Sequence, residues 1–156
     1  EKINKAIRNI LPQLLPTYQV VHLCGKGNVD ESINYEGYVQ FEYVNEELKD
    51  IFAITDYVVS RAGANAIFEL LALQIPMLLI PLTLGASRGD QIENAKSFAK
   101  KGIAHVLFEE NMTTETLFDS IEQLRENEAE LKEKMATYQA RASREKVIEL
   151  IKEIAK

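Results

Sequence analysis

Two short segments concentrate the residue types that bind phosphate and sugar. The first is Ser60-Arg61-Ala62-Gly63-Ala64-Asn65, continued by Ala66-Ile67-Phe68-Glu69, with small residues where a strand turns into a helix. Amides at a helix opening have no partner within the helix, and the helix dipole favours an anion beside them. A diphosphate or a sugar hydroxyl suits that chemistry, but the same small residues also permit close packing of strand on helix. Glu69 adds a second feature, a carboxylate in a helix otherwise built from Ala66, Ile67, Phe68, Leu70, Leu71, Ala72 and Leu73. Burying a bare charge is costly, so Glu69 faces either solvent or a specific partner. A carboxylate accepts hydrogen bonds from two neighbouring hydroxyls at once, the arrangement of a ribose diol. A solvated helix face is the plain alternative.

The second segment runs from Pro81 to Ala95 and brings Asp90, Gln91 and Asn94 into the first turn of a helix. These side chains offer the donors and acceptors that read sugar hydroxyls. Alternatively, Asp90 caps the helix and Gln91 is solvated. Arg88, just before them, has the fork geometry for a diphosphate, although exposed arginines are common. Cys24-Gly25-Lys26-Gly27 resembles a phosphate cradle only superficially, lacking both the GxxxxGK[ST] and the GxGxxG spacing. His22 and His105 lie in apolar strands and read as hydrogen-bonded core or edge histidines. Cys24 has no activating partner in sequence and is not a nucleophile candidate.

The surrounding elements must position these groups. Ile3, Ile7, Ile10, Leu11 and Leu14 recur at helical spacing, and Pro12 and Pro16 are expected to close that helix before a strand over Gln19–Leu23. A turn at Gly25–Asn28, a strand over Gly37–Phe41 and a helix over Glu46–Ala53 with Asn45 as N-cap follow. Next come a strand over Tyr57–Ser60, the helix opened by Gly63, and a buried strand over Met77–Ile80 bounded by Pro76 and Pro81. An amphipathic helix over Asp90–Lys101, stopped by Gly102, leads to a strand over Ile103–Phe108. Thr113 and Thr114 are placed to cap a helix to about Arg125, and charge-rich helical segments run from Glu128 to Lys156. Continuously apolar strands alternating with helices predict a doubly wound α/β domain with a mainly parallel sheet. In such sheets ligands bind beyond the carboxyl ends of the strands, where both segments fall.

Composition narrows the function classes. With 156 residues, 46% hydrophobic and 27% charged, the chain is sized for one globular domain with one core. Against 24 acidic residues stand 18 scattered Lys and Arg, a net charge of −6, which argues against a nucleic-acid partner. The single cysteine excludes an internal disulfide, and the absence of paired histidines or an Asp-x-Asp motif gives no metal expectation; a reducing, cytoplasmic setting fits. The longest apolar run, Ile75–Leu84, falls well short of the ~20 residues of a membrane span. Glu1-Lys2-Ile3-Asn4 reads as the inside of a helix already under way, so a preceding segment is expected.

Taken together, the motifs resemble the bacterial MurG-type transferases of glycosyltransferase family 28. His22-Leu23-Cys24-Gly25-Lys26-Gly27 looks like that family's H-x-x-G-K-G turn. Asp56-Tyr57-Val58-Val59-Ser60-Arg61-Ala62-Gly63, followed by Glu69, looks like its donor signature, and Pro76 to Pro81 with Asp90-Gln91, Asn94-Ala95 and Phe98 continue the match. The resemblance covers most of residues 1–110. It implies a GT-B enzyme of two Rossmann-like domains, of which residues 1–156 are the donor-binding one, with the C-terminal helices, about 113–156, packed on it. That domain's first strand and glycine-rich loop would precede Glu1. The implied substrate is UDP-N-acetylglucosamine, with no cofactor. Donor-binding residues carried over are Asn45, Gly63, Ala64, Asn65, Ala66, Ile67, Phe68, Glu69, Asp90 and Gln91: Glu69 on the ribose, the amides of Ala64–Ala66 along the diphosphate and sugar, Asp90 and Gln91 on the N-acetylglucosamine, and the backbone near Val44 and Asn45 at the uracil edge. The catalytic base and the lipid-linked acceptor site would belong to the other domain, so this part alone would be inactive, and the whole enzyme would act as a peripheral protein on the cytoplasmic face of the membrane. Two other readings share the fold: a free-standing UDP-sugar-binding subunit of a two-chain transferase, and half of a UDP-N-acetylglucosamine 2-epimerase. A receiver or flavodoxin domain is disfavoured, since no acidic cluster or flavin loop ends the early strands.

Overall fold

The computed structural model describes residues 2–83 and 89–154. Arg88, read above as a diphosphate contact, lies outside the described residues. In chain order the elements are α1 (Lys2–Leu14), β1 (Val20–Leu23), β2 (Tyr38–Phe41), α2 (Glu47–Ala53), β3 (Val58–Ser60), α3 (Ala64–Ala72), β4 (Met77–Leu79), α4 (Asp90–Lys100), β5 (His105–Val106), a 3-10 turn (Glu109–Asn111), α5 (Thr114–Glu126) and α6 (Glu128–Ile154). They form two compact units: residues up to Thr55 together with Met112–Asp119, and Asp56–Asn111 together with the chain from Ser120 onward. Every strand pairing in both is parallel, as the alternating pattern predicted. The strands fall into two sheets rather than the one anticipated, because no described strand pairs with the second edge of β1 or of β3.

In the first unit, β1 pairs with β2 in the register Val20↔Tyr38 to Leu23↔Phe41. Helix α1 buries Ile7, Ile10, Leu11 and Leu14 of the stripe read from the sequence, while Ile3 is half-buried and the polar Asn4 is buried instead. Pro12 does not end this helix, which runs on to Leu14. Losing one backbone hydrogen bond at a proline is offset here by the burial of Leu11, on one side, and Leu14, on the other. The expected cap of α2 also shifts: Glu46 is the N-cap and no side chain caps the helix. A turn closed by the Leu48 amide on the Asn45 carbonyl, at 3.2 Å, already begins at Asn45.

In the second unit the sheet order is β3-β4-β5. Central β4 is fully buried, with Met77, Leu78 and Leu79 all at 0% exposure, as expected of a parallel strand covered on both faces. Strand β5 is shorter than the apolar run Ile103–Phe108 suggested, because β4 offers only Leu78 and Leu79 as partners, to His105 and Val106; Ile103, Ala104 and Leu107 are buried nonetheless. Gly102 stops α4 at φ +76, the left-handed turn that glycine permits. Thr113 Oγ1 accepts from the Thr116 amide at 3.1 Å, the expected cap of α5. The charge-rich tail is one continuous helix of 27 residues. Among the described residues no helix is long and apolar enough to cross a membrane.

Candidate functional site

The carboxyl end of β3 leads through Arg61, Ala62 and Gly63 into α3. Gly63 is the N-cap, in an extended conformation (φ −74°, ψ 139°), and no side chain caps the helix. Its carbonyl accepts from the Ile67 amide at 3.0 Å, which starts the helical ladder. The amides of Ala64, Asn65 and Ala66 therefore stand ahead of the ladder and have no acceptor among the described residues. Close packing does not explain the glycine: a Cβ built on Gly63 meets nothing within 4 Å, and its φ is one any residue adopts. Among the described residues, the space beside Gly63 is open.

Ala64 and Asn65 are exposed, and Ala66 is half-buried. Glu69 is exposed, one turn beyond Asn65 on the same face, and its side chain has no hydrogen bond or ion pair among the described residues. Of its two sequence readings, the solvent-facing one describes it as it stands, with both oxygens available. Ile67, carried over as a donor contact, offers neither of its groups to a ligand: its amide is bonded to Gly63 and its side chain is at 0% exposure in the core. The Phe68 ring lies edge-on to Phe98, with centroids 5.8 Å apart.

Helix α4 brings its first turn to the same strand ends. Gly89 at φ +89 is the N-cap and Asp90 caps nothing; its side chain is exposed. Gln91 is not merely solvated. Its Oε1 accepts from the Leu82 amide at 3.0 Å and from the Ala62 amide at 3.3 Å, while Asn94 Nδ2 donates to the Ala62 carbonyl at 3.1 Å. Backbone groups of fixed polarity set both carboxamide orientations. Ala62 is thus held at both its amide and its carbonyl, and Gln91 Nε2 has no acceptor among the described residues. Arg61, quoted above only as part of the donor signature, adds a further tie. Its Nη1 pairs with Glu109 Oε1 at 2.5 Å and donates to the carbonyls of Ile80 at 3.2 Å and Pro81 at 3.4 Å.

The first unit holds the remaining candidates. Asn45 is exposed, and its amide already donates to Glu47 Oε2 at 3.2 Å. Beside it, Phe41, Tyr43, Val44, Glu47 and Ile51 line an apolar hollow of about 270 Å³, which the sequence did not reveal. His22 is a core histidine, as expected. Asn4 Nδ2 donates to the Cys24 carbonyl at 2.8 Å, so its Oδ1 faces His22 Nε2 at 2.9 Å. Nε2 must then carry the proton, and Nδ1 accepts from the Tyr38 hydroxyl at 2.7 Å. Burial, aided by the Arg8 charge, lowers the pKa of His22 to about 4. Arg8 Nη2 donates to the Asn28 carbonyl at 2.5 Å and to Gln40 Oε1 at 2.8 Å, so the Cys24–Asn28 turn is gripped from inside the protein. Burial raises the pKa of the Cys24 thiol, which leaves it protonated and unreactive at neutral pH. Among the described residues no group of three His, Cys, Asp or Glu is placed to hold a metal ion.

Comparison with known proteins sets this geometry in a family. The model of the glycosyltransferase family 28 C-terminal domain matches residues 1–153. A protein of Oceanobacillus iheyensis named UDP-N-acetylglucosamine--N-acetylmuramyl-(pentapeptide) pyrophosphoryl-undecaprenol N-acetylglucosamine transferase is 53% identical over the whole chain, which covers 44% of that protein. One of the same name from Geobacillus thermodenitrificans is 61% identical over 86% of the chain and 38% of its own length. Among solved structures, Acinetobacter baumannii MurG superposes with a TM-score of 0.63 at 25% identity, over 84% of this chain and 40% of that one. The glycotransferase of kitacinnamycin shares the fold, with a TM-score of 0.71 at 20% identity over 86% of this chain and 33% of that one. The chain spans less than half the length of the curated relatives it matches. On the family match over almost its full length, the chain belongs to the glycosyltransferase family 28 C-terminal domains.

Proposed function

We propose that this chain is the donor-binding part of an inverting glycosyltransferase that moves N-acetylglucosamine from UDP-N-acetylglucosamine to the undecaprenyl-pyrophosphoryl muramyl-pentapeptide. The observation that carries the reading is the opening of α3: among the described residues the amides at Ala64, Asn65 and Ala66 have no acceptor, nothing fills the space at Gly63, and the Glu69 side chain one turn on has no partner. In this reading the helix-end amides hold the diphosphate, Glu69 the ribose diol, and Asp90 with the free Nε2 of Gln91 the sugar hydroxyls. As the bond to the anomeric carbon breaks, negative charge develops on UDP, and fixed amides at a helix end stabilise it without a metal ion. The base that activates the acceptor hydroxyl and the lipid-linked acceptor site belong to the remaining length of the enzyme. That enzyme works on the cytoplasmic face of the membrane, and this part alone is inactive.

Incubating the complete enzyme with UDP-N-acetylglucosamine tests this. Transfer should require the lipid-linked acceptor and survive excess chelator. Epimerisation of the donor without acceptor contradicts the transferase assignment, and activity lost to chelator but restored by Mg²⁺ or Mn²⁺ contradicts the metal-free part. Gly63→Ala isolates the open space. Because the added methyl touches no atom of the described residues, stability should stay within about 0.5 kcal/mol, while the UDP dissociation constant rises several-fold, as read by calorimetry.

A further inference from the structure

The geometry points to Arg61 and Glu109 as positioning residues that set the donor-binding turn without touching the donor. This rests on the donor-binding reading above and adds to it a pair outside the proposed contacts. Arg61 directly follows β3. Its Nη1 reaches the carbonyls of Ile80 and Pro81, which follow β4, and the carboxylate of Glu109, in the 3-10 turn after β5. One guanidinium nitrogen therefore ties together the carboxyl ends of all three strands of that sheet. The Glu109 side chain is only 7% exposed and that of Arg61 26%, so the pair is shielded from water and salt far more than a surface ion pair is. The next residue is Ala62, whose amide is held by Gln91 and whose carbonyl is held by Asn94, and the next is Gly63, the helix cap. Arg61 thus fixes one end of the short link whose other end presents the amides of Ala64, Asn65 and Ala66. An arginine already paired with a carboxylate is also poorly suited to serve as the phosphate ligand itself.

Positioning and direct phosphate contact differ in sign for one substitution. Glu109→Gln in the complete enzyme removes the negative charge and leaves Arg61 without its ionic partner, held only by neutral acceptors such as the carbonyls of Ile80 and Pro81. If Arg61 contacted the diphosphate, donor binding would hold or tighten. If the pair positions the turn, the affinities for UDP and UDP-N-acetylglucosamine should both fall about tenfold, and by the same factor, because both use the same amides. Titration calorimetry of wild type and Glu109→Gln at a temperature well below the melting transition of each reads this directly. Should Glu109→Gln not fold, Glu109→Asp keeps the charge but withdraws it by one methylene, and a loss of about threefold for both ligands is expected. Unchanged or tightened binding in the variant measured overturns the inference, as does a loss confined to UDP-N-acetylglucosamine. Wild-type enzyme that binds neither ligand removes the donor-site reading and this inference with it; wild-type binding with insensitive variants removes the inference alone.

Discussion

Glu69→Ala in the complete enzyme should weaken binding of UDP and of UDP-N-acetylglucosamine in parallel, by about ten- to a hundredfold. A hydrogen bond to a charged group contributes ~1.5–3 kcal/mol, and 1.4 kcal/mol is a factor of ten. Both ligands carry the ribose, so a carboxylate on the diol is felt by both, whereas a carboxylate on the sugar would be felt by one. The fold should be indifferent. Glu69 is exposed and unpaired among the described residues, so its removal belongs with surface substitutions that shift stability by no more than about 0.5 kcal/mol. A 2′-deoxy donor gives the internal control: it should bind wild type weakly and lose little more on Glu69→Ala. Calorimetric titration checks all three expectations, and equal UDP affinity in wild type and Glu69→Ala contradicts the assignment of the ribose to this residue.

The second large effect is on stability against pH. His22 is buried and neutral, donating from Nε2 to Asn4 and accepting at Nδ1 from Tyr38, with Arg8 and Cys24 in the same network. Its folded pKa is about 4, against about 6.5 in an unfolded chain. Between these values the unfolded state binds the proton and the folded state does not. The stabilisation is therefore complete above about pH 6.5 and is lost as pH falls towards 4, for a total of about 3 kcal/mol. Urea unfolding from pH 7 to pH 4 should show this slope, and His22→Gln should flatten it. A proton NMR titration of the His22 ring with a midpoint near 6.5 contradicts the account.

Much of this was legible in the sequence, for identifiable reasons. The apolar stripe Ile7, Ile10, Leu11 and Leu14 and the run Met77–Leu79 bury the faces their spacing predicts, since periodicity is set by burial. Gly102 and Thr113 mark helix ends because their backbone or hydroxyl is needed there. Other features depend on partners far along the chain. Nothing near Pro12 in sequence says that Leu14 will be buried deeply enough to carry the helix past it, and nothing near Ile103 says that β4 will offer β5 only two residues. The polar ties at the site are the clearest case. Gln91 and Asn94 looked like side chains for sugar hydroxyls, but three of their hydrogen bonds go to backbone groups of loops as far as 32 residues away. Arg61 was visible only as part of the donor signature, and Glu109 drew no notice, because an arginine after a strand and a glutamate before a helix have no evident tie until folding joins them. The small-residue turn and the lone carboxylate were visible; what holds them in place was not.

Hydrogen–deuterium exchange of the complete enzyme with and without UDP-N-acetylglucosamine tests the central claim most directly. The amides of Ala64, Asn65 and Ala66 have no protein acceptor among the described residues, so in the free enzyme they should exchange quickly. Saturating donor should slow the peptide that spans Ala62–Glu69 more than any other in this part of the chain. Donor binding that leaves that peptide exchanging at its free rate, while protecting another segment, contradicts the placement of the donor at the opening of α3.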